Sequence, residues 1–249
     1  MASVGEHYRN LLAKHYTWMT GATFEEKVAE QKALLQKILE PPGPGELRGP
    51  ALDLGSGPGF QSIALAQLGF SPVIAMDTSA ELLDELRSHR GHYPIEIVER
   101  DLLSLDALEM GSEATVAVCM GDTLTHLDSK DSVRRLFAAV LHKLVRGGRF
   151  AITYRDLSVA LAGADRFLPV RSDDEKIMTC FLEYESDDYV VVNDIVHVRD
   201  AQGWRMEKSS YRKLRLSAEW VAEALGDEGF RIRSQGMAGR LALIVAEKG

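Results

Sequence analysis

The sequence of 249 residues contains only two cysteines and no long uncharged apolar run. The two thiols, Cys119 and Cys180, lack metal-ligand spacing, and two thiols do not make a disulfide framework. A membrane-spanning helix needs about 20 consecutive apolar residues, and no stretch of the chain approaches that length. The chain does not open on a basic segment followed by an apolar one, so we expect no signal peptide. These absences predict a cytoplasmic protein without a membrane partner.

Basic residues are fewer than acidic residues. The chain has 29 Lys and Arg against 37 Asp and Glu, which gives a formal net charge of -8. Phosphate backbones select basic surfaces, so we expect no nucleic-acid partner. Hydrophobic residues make up 45% of the chain, which is enough to build the core of one large α/β domain.

Residues 1–45 are predicted to form a helical lid before the main domain. Apolar and aromatic side chains recur at helical spacing through residues 8–19. Thr23 and Glu26 have the spacing of a capping box, which predicts a second helix that begins after Thr23. The proline- and glycine-rich run at 41–45 cannot continue that helix, so we expect it to end near Glu40.

Residues 46–249 are predicted to form one α/β domain. Strands alternate with helices up to residue 154, with strands at 51–54, 72–76, 95–98, 114–120 and 149–154 and helices at 60–68, 78–89 and 129–145. This alternation predicts a doubly wound, mostly parallel, seven-stranded Rossmann-like sheet. An antiparallel β insertion is expected at 160–216, with strands at 176–186, 189–199 and 204–214. A helix at 217–225 and strands at 230–235 and 241–246 complete the prediction.

A glycine-rich turn lies between the first strand and the first helix of this domain. Gly55, Gly57 and Gly59 suit a backbone with positive φ or a backbone that a ligand touches directly. Asp77 ends the next strand, where nucleotide-binding folds place an acid that accepts from ribose hydroxyls. The alternatives are an ordinary tight turn and, for Asp77, a helix N-cap. A dinucleotide fingerprint needs glycine or alanine at position 60, where this chain has Phe60, so a dehydrogenase is disfavoured.

The segment 52–60, Leu-Asp-Leu-Gly-Ser-Gly-Pro-Gly-Phe, resembles motif I of the class I S-adenosylmethionine (SAM)-dependent methyltransferases. The resemblance implies SAM as cofactor and S-adenosylhomocysteine as product. In the family, the acid at Asp77 binds the ribose and the segment at Asp101 lies beside the adenine. The cofactor-binding residues that it implies are Tyr16, Asp53, Gly55, Ser56, Gly57, Gly59, Asp77, Thr78, Asp101, Leu102, Met120 and Gly121.

Two further segments resemble glycine N-methyltransferase and its small-molecule relatives. Residues 119–127, Cys-Met-Gly-Asp-Thr-Leu-Thr-His-Leu, are similar to the loop after strand 4, with Asp122 in place of an asparagine. That replacement argues against glycine as the acceptor. Residues 152–156 are similar to the end of strand 5, which carries an arginine that faces the acceptor. The predicted catalytic residues are Asp122, His126, Tyr154 and Arg155.

The expected reaction is transfer of a methyl group to N or O of a small, anionic molecule by in-line displacement. The donor is already activated, so the protein mainly positions the acceptor, and a base is needed only for a protonated acceptor. Arg155 would hold an anionic group, or form a salt bridge with Asp156 or Asp194. Asp122 would accept from an amine or cap a turn. His126 would act as a base or as a structural histidine.

Several alternatives remain open in the sequence. A SAM-binding sensor or scaffold without catalysis and a protein or peptide methyltransferase both fit the cofactor motifs. No metal is predicted, because two acids such as Asp122 and Asp156 are weak evidence for a metal site. Asp194 lies on a valine-rich strand face, where we expect it to face the acceptor pocket or to pair with an arginine such as Arg212. A homodimer through the open sheet edge or the insertion is compatible with the pattern.

Overall fold

A computed structural model describes residues 1–39 and 48–249. The predicted linker at 41–45, the end of the helix near Glu40 and the boundary between residues 45 and 46 lie outside the described residues. The N-terminal segment (residues 1–19) consists of α1 Val4–His7, a π-helical turn Tyr8–Leu12, a 3-10 turn Ala13–His15 and α2 Tyr16–Met19.

Helix α3, Phe24–Ile38, begins at the predicted capping box. The Glu26 N–H donates to Thr23 Oγ1 at 3.2 Å, and the Thr23 N–H donates to Glu26 Oε2 at 2.8 Å. These two bonds satisfy backbone donors that the first helical turn leaves free. The helix then packs beside the main sheet, where the Phe24 ring lies 5.0 Å from the ring of Phe60.

The main sheet has seven strands, with helices on both of its faces. Its strands are β1 Ala51–Leu54, β2 Val73–Asp77, β3 Ile95–Glu99, β4 Ala114–Cys119, β5 Leu144–Tyr154, β10 Phe230–Ala238 and β11 Leu241–Lys248. The helices of this domain are α4 Phe60–Gln67, α5 Ala80–His89, α6 Lys130–Lys143 and α7 Ala218–Asp227. The strand order is β10-β11-β5-β4-β1-β2-β3, and only β11 and β10 run antiparallel to their neighbours. This arrangement confirms the predicted α/β fold class.

The central strands of the main sheet are buried on both faces because helices cover both faces. All four residues of β1 and five of the six residues of β4 are buried, whereas most residues of the edge strand β10 are exposed. One core cluster includes Phe137, Phe150 and Tyr154, and a second includes Leu35 and Leu65. The predicted helix at 129–145 ends at Lys143, and β5 begins directly afterwards at Leu144 rather than at residue 149.

The antiparallel insertion forms a second sheet of four strands. They are β6 Phe167–Ser172, β7 Lys176–Tyr184, β8 Tyr189–Asp200 and β9 Gly203–Leu214, paired in chain order. The sequence predicted three of them. It missed β6, an edge strand whose register shifts between Pro169 and Arg171, because a proline in a short run argues against a strand.

The described part of the chain contains no helix that is long and apolar enough to cross a membrane.

Candidate functional site

A cavity of about 610 Å³ lies at the edge of the main sheet where the parallel strands end. Its walls include the turn after β1 and the loops after β2, β3 and β4, since ligands in open α/β sheets bind outside the carboxyl ends of the strands. The N-terminal segment and strands β8 and β9 supply the remaining walls. The lining residues are Ala2, Ser3, Val4, Gly5, Tyr8, Tyr16, Gly55, Gly57, Asp77, Thr78, Ser79, Leu82, Asp101, Leu102, Thr123, His126, Leu127, Asp128, Tyr189, Arg212 and Lys213.

The three glycines of the turn after β1 have different reasons to be glycine. All three have positive φ, at 74°, 52° and 92° for Gly55, Gly57 and Gly59. A Cβ on Gly55 would lie 2.3 Å from Thr123, and one on Gly59 would lie 2.2 Å from Leu86. A Cβ on Gly57 would meet only ordinary contacts at 3.8 Å or more, on the side that lines the cavity. Gly57 therefore leaves room for a ligand, whereas the other two leave room for packing.

Asp77 reaches the cavity from the end of β2. The Gly57 N–H donates to its Oδ2 at 2.8 Å, and the Ser79 N–H donates to its Oδ1 at 2.9 Å. Burial raises the pKa of this carboxyl group. Ser79 is the N-cap of α5, so Asp77 does not fill that role. Each carboxylate oxygen keeps a further acceptor position for a ligand hydroxyl.

Asp101 and Leu102 line the same cavity after β3. Asp101 Oδ1 accepts from the Leu103 N–H at 2.8 Å and thereby begins a 3-10 turn. Asp101 thus begins this turn and also faces the cavity.

Other residues predicted to bind the cofactor stand behind the cavity wall. Asp53 is 1% exposed, and the Ser62 hydroxyl donates to its Oδ2 at 2.5 Å. Burial raises the pKa of Asp53 to about 7. The Gly121 N–H donates to Thr153 Oγ1 at 2.8 Å. Ser56, Gly59 and Met120 support the wall and are not among the residues that line it.

Asp122 is fixed beside the cavity by three partners, although it is not among the lining residues. Its Oδ2 forms an ion pair with the buried Lys213 ammonium. Its Oδ1 accepts from the Arg155 N–H and from Thr125 Oγ1, each at 3.0 Å. Burial alone would raise the pKa of this carboxyl group, but the charge of Lys213 brings it below its ordinary value. Asp122 is therefore an ionised carboxylate with its oxygens already engaged.

His126 lies on the 3-10 turn that follows Asp122, with its ring between two tyrosines. The ring centroids of Tyr8 and Tyr211 lie 5.7 Å and 5.6 Å away, both edge-on. Burial, together with the charge of Lys213, lowers the pKa of His126 to about 3. Its Nε2 atom is buried without a hydrogen-bond partner among the described residues. His126 is thus a neutral imidazole whose ring lines the cavity, while its Nε2 atom is closed off from it.

The other two predicted catalytic residues lie away from the cavity wall. Tyr154 is fully buried in the core of the main sheet, and burial raises the pKa of its hydroxyl group. The Arg155 side chain is exposed, and its contribution to the site is the backbone N–H on Asp122. Neither residue is among those that line the cavity.

Comparison with known proteins gives one family match over part of the chain. Residues 51–148, from β1 into β5, match the family described as a methyltransferase domain. Structures of similar fold are described as SAM-dependent or SAM-bound methyltransferases, which supports the cofactor prediction. Among curated proteins, none matches the chain.

Solved structures share the fold across the whole chain. An S-adenosylmethionine-dependent methyltransferase from Clostridium acetobutylicum ATCC 824 has a TM-score of 0.74 at 17% identity, over 97% of this chain and 99% of that one. CalS10, an amino pentose methyltransferase from Micromonospora echinaspora, has a TM-score of 0.69 at 17% identity, over 95% and 96%. The sugar N-methyltransferase KedS8 from Streptoalloteichus sp ATCC 53650 has a TM-score of 0.71 at 16% identity, over 96% and 93%. At these identities the likeness concerns the fold alone.

Part of the cavity wall is formed by residues that the sequence analysis did not predict as site residues. Lys213, Arg212 and Tyr189 come from the antiparallel sheet, and residues 2–5 come from the N-terminal segment. A signal for Lys213 was present, because it alternates with Tyr211 on the face of β9 that pairs with the valine-rich face of β8. No group of His, Cys, Asp and Glu within residues 1–39 and 48–249 is arranged to hold a metal ion.

The expectation for Asp194 was wrong. Asp194 is buried and its Oδ2 lies 3.0 Å from His7 Nε2, whereas Arg212 pairs with Glu185 at 2.7 Å. The His7 imidazole satisfies the carboxylate inside the protein, and the exposed Arg212 side chain instead reaches Glu185 and the cavity wall.

The low pKa of His126 predicts acid sensitivity. Below pH 6.5 the unfolded chain binds a proton at His126 that the folded protein, with its pKa of about 3, does not. Stability from this residue is therefore lost as pH falls, by about 2 kcal/mol between pH 7 and pH 5. In chemical denaturation at both values, we expect His126→Gln to lose about 2 kcal/mol less than the wild type. The exposed His142→Gln is the control, and equal losses in His126→Gln and the wild type would contradict the expectation.

Proposed function

We propose that this protein transfers the methyl group of SAM to an amine nitrogen of a small molecule and releases S-adenosylhomocysteine. One observation carries the proposal. The same cavity is lined by Gly57, Asp77 and Asp101, here called the cofactor end, and by His126 and Lys213, here called the acceptor end. Its volume of about 610 Å³ is in the range that small-molecule sites occupy.

The cofactor end suits an adenosyl group. Asp77 would accept from the ribose hydroxyls, and Asp101 would accept from the exocyclic amine of the adenine. Gly57 would let the methionyl part lie against the backbone, because no side chain occupies that wall. Tyr16 would cover the cofactor from the N-terminal segment.

The acceptor end suits a neutral amine. When bound, SAM would supply a methyl group on a sulfonium: the nitrogen lone pair would form the N–C bond as the C–S bond breaks, S-adenosylhomocysteine would leave, and the product would be an N-methylammonium ion. The His126 imidazole, with a pKa of about 3, is too weak a base to deprotonate an ammonium or a hydroxyl group. The acceptor amine must therefore lose its proton to solvent before it binds. Positioning in a desolvated cavity can supply up to about 7–11 kcal/mol.

The charges around the cavity favour a neutral amine over an anionic molecule as the acceptor. Arg212 and Lys213 line the cavity, but each is already paired with a carboxylate, from Glu185 and Asp122. An anion is therefore not needed to balance them. Of the proteins with a similar fold, CalS10 is an amino pentose methyltransferase and KedS8 is a sugar N-methyltransferase, which supports an amine as the acceptor. The likeness of residues 119–127 to small-molecule methyltransferases points the same way.

Titration and transfer assays test the proposal. We expect micromolar binding of SAM and S-adenosylhomocysteine, no comparable binding of NAD, and at least tenfold weaker SAM binding in Asp77→Asn, about 1.4 kcal/mol. Asp84→Asn makes the same charge change on the exposed side of α5 and should bind SAM as the wild type does.

Methyl transfer is then followed by mass spectrometry with a panel of small amines and the matching alcohols. We expect methylated amines and no methylated alcohols. Tight SAM binding without transfer to any acceptor would instead indicate a SAM sensor or scaffold. Transfer to basic peptides alone would indicate a protein methyltransferase.

A further inference from the structure

Lys213 places a buried ammonium at the acceptor end of the cavity. Its side chain is 7% exposed and lines the cavity from the inner face of β9. The only residue with which it pairs in the described parts of the chain is Asp122, on the loop after β4. Lys213 thus joins the antiparallel sheet to the main sheet at the site itself.

The ammonium has more donors than the protein uses. A lysine Nζ carries three hydrogens, and the Asp122 carboxylate accepts one of them. The Tyr211 ring centroid lies 5.6 Å from Nζ and covers another side of the ammonium. A buried donor without an acceptor is costly, so an acceptor oxygen of a ligand at this place would be recognised.

The position of the ammonium is fixed. Asp122 cannot follow a moving lysine, because the Arg155 N–H and Thr125 Oγ1 hold its other oxygen at 3.0 Å. The 3-10 turn Thr123–His126 begins directly after Asp122, and both Lys213 and His126 line the cavity. The free donors of Lys213 therefore lie at the end of the cavity that His126 lines.

We propose that Lys213 donates a hydrogen bond to a hydroxyl oxygen that lies close to the reacting amine, so that the preferred acceptors are amino alcohols. This inference rests on the proposed amine methylation. The amine lies beside the His126 ring, and Lys213 Nζ donates to the neighbouring oxygen. A neutral hydroxyl fits better than a carboxylate, because Asp122 already balances the lysine charge and a second buried carboxylate would be unpaired.

The test separates recognition from structural support. Lys213→Met alone would leave the half-buried Asp122 without its cation and would destabilise the protein. The informative variant is therefore Lys213→Met combined with Asp122→Asn, which removes both charges. Asp122→Asn alone is the matched control, because the asparagine Oδ1 can still accept from Lys213 Nζ and keep it in place. SAM affinity and the unfolding midpoint show that each variant is folded.

The assay compares kcat/KM for amino alcohols with kcat/KM for the same amines lacking the hydroxyl, such as 2-aminocyclohexanol against cyclohexylamine. We expect the wild type and Asp122→Asn to prefer the amino alcohols at least tenfold, and the double variant to lose that preference. Equal rates in the wild type, or a preference retained by the double variant, would overturn the role of Lys213 and leave the proposed function standing. A wild type that binds SAM and methylates no amine would overturn both.

Discussion

The His7→Leu protein is expected to be about 3 kcal/mol less stable than the wild type, the loss typical of a broken buried pair. His7 is fully buried on α1, and its Nε2 lies 3.0 Å from Asp194 Oδ2. Its ring also stacks on Tyr211, with the centroids 4.1 Å apart. Leucine can keep much of the packing, but it leaves the buried Asp194 carboxylate with only the weak donor of the Cys180 thiol. The loss therefore comes mainly from the poorly paired carboxylate rather than from the missing ring.

A double-mutant cycle measures this effect. Chemical denaturation of His7→Leu, Asp194→Leu and the double variant should show that the double variant recovers most of the loss, because it strands no polar group. Arg87→Leu breaks the exposed pair with Asp84 and should cost less than about 1 kcal/mol. A His7→Leu protein as stable as Arg87→Leu, or a double variant no more stable than His7→Leu, would show that the His7–Asp194 pair does not stabilise the fold.

The same variant should weaken SAM binding, because the His7 pair is one of several contacts that hold the N-terminal segment on the antiparallel sheet. Trp18 Nε1 donates to Asp173 at 2.5 Å, and Lys14 pairs with Glu207 at 2.7 Å. That segment brings Tyr8 and Tyr16 to the cavity wall. The antiparallel sheet therefore supports both the acceptor end of the cavity and the cover over its cofactor end.

Local signals predicted the main sheet and the cofactor end. The alternation of strands and helices follows from hydrophobic periodicity within each segment. The turn of Gly55, Gly57 and Gly59 and the acid at Asp77 have fixed spacing along the chain, so their meeting at the sheet edge follows from the fold. Tyr154 shows the limit of that reasoning: it ends β5 at the expected edge, but its side chain points into the core.

Pairs between distant parts of the chain were not predictable in this way. Lys213 meets Asp122 across 91 positions, and His7 meets Asp194 across 187. A charged residue on an apolar strand face signals that a partner exists, and Asp194 carried that signal. Which residue becomes the partner depends on how the second sheet and the N-terminal segment dock, and no local pattern specifies that docking. These pairs form the acceptor end of the cavity, which is therefore known from the structure and could not be predicted from the sequence.

The Gly57→Ala protein is expected to lose at least a hundredfold in SAM affinity, about 2.7 kcal/mol. The new methyl group would enter the cavity between Tyr16 and Leu82, where the cofactor is proposed to touch the backbone. The Asp77 carboxylate, which accepts from the Gly57 N–H, limits how far the turn can retreat. Protein packing alone would tolerate the change, since the added Cβ has no contact closer than 3.8 Å.

Gly91→Ala is the matched control for backbone strain. Gly91 has φ of 53° against 52° for Gly57, and a Cβ there would meet nothing within 4 Å. Both variants should therefore lose a similar stability, about 1–2 kcal/mol for a left-handed non-glycine residue. Isothermal titration should then show wild-type SAM affinity for Gly91→Ala and a large loss for Gly57→Ala alone. If both variants bound SAM equally well, the cofactor would not lie against Gly57, and the glycine would serve only the turn.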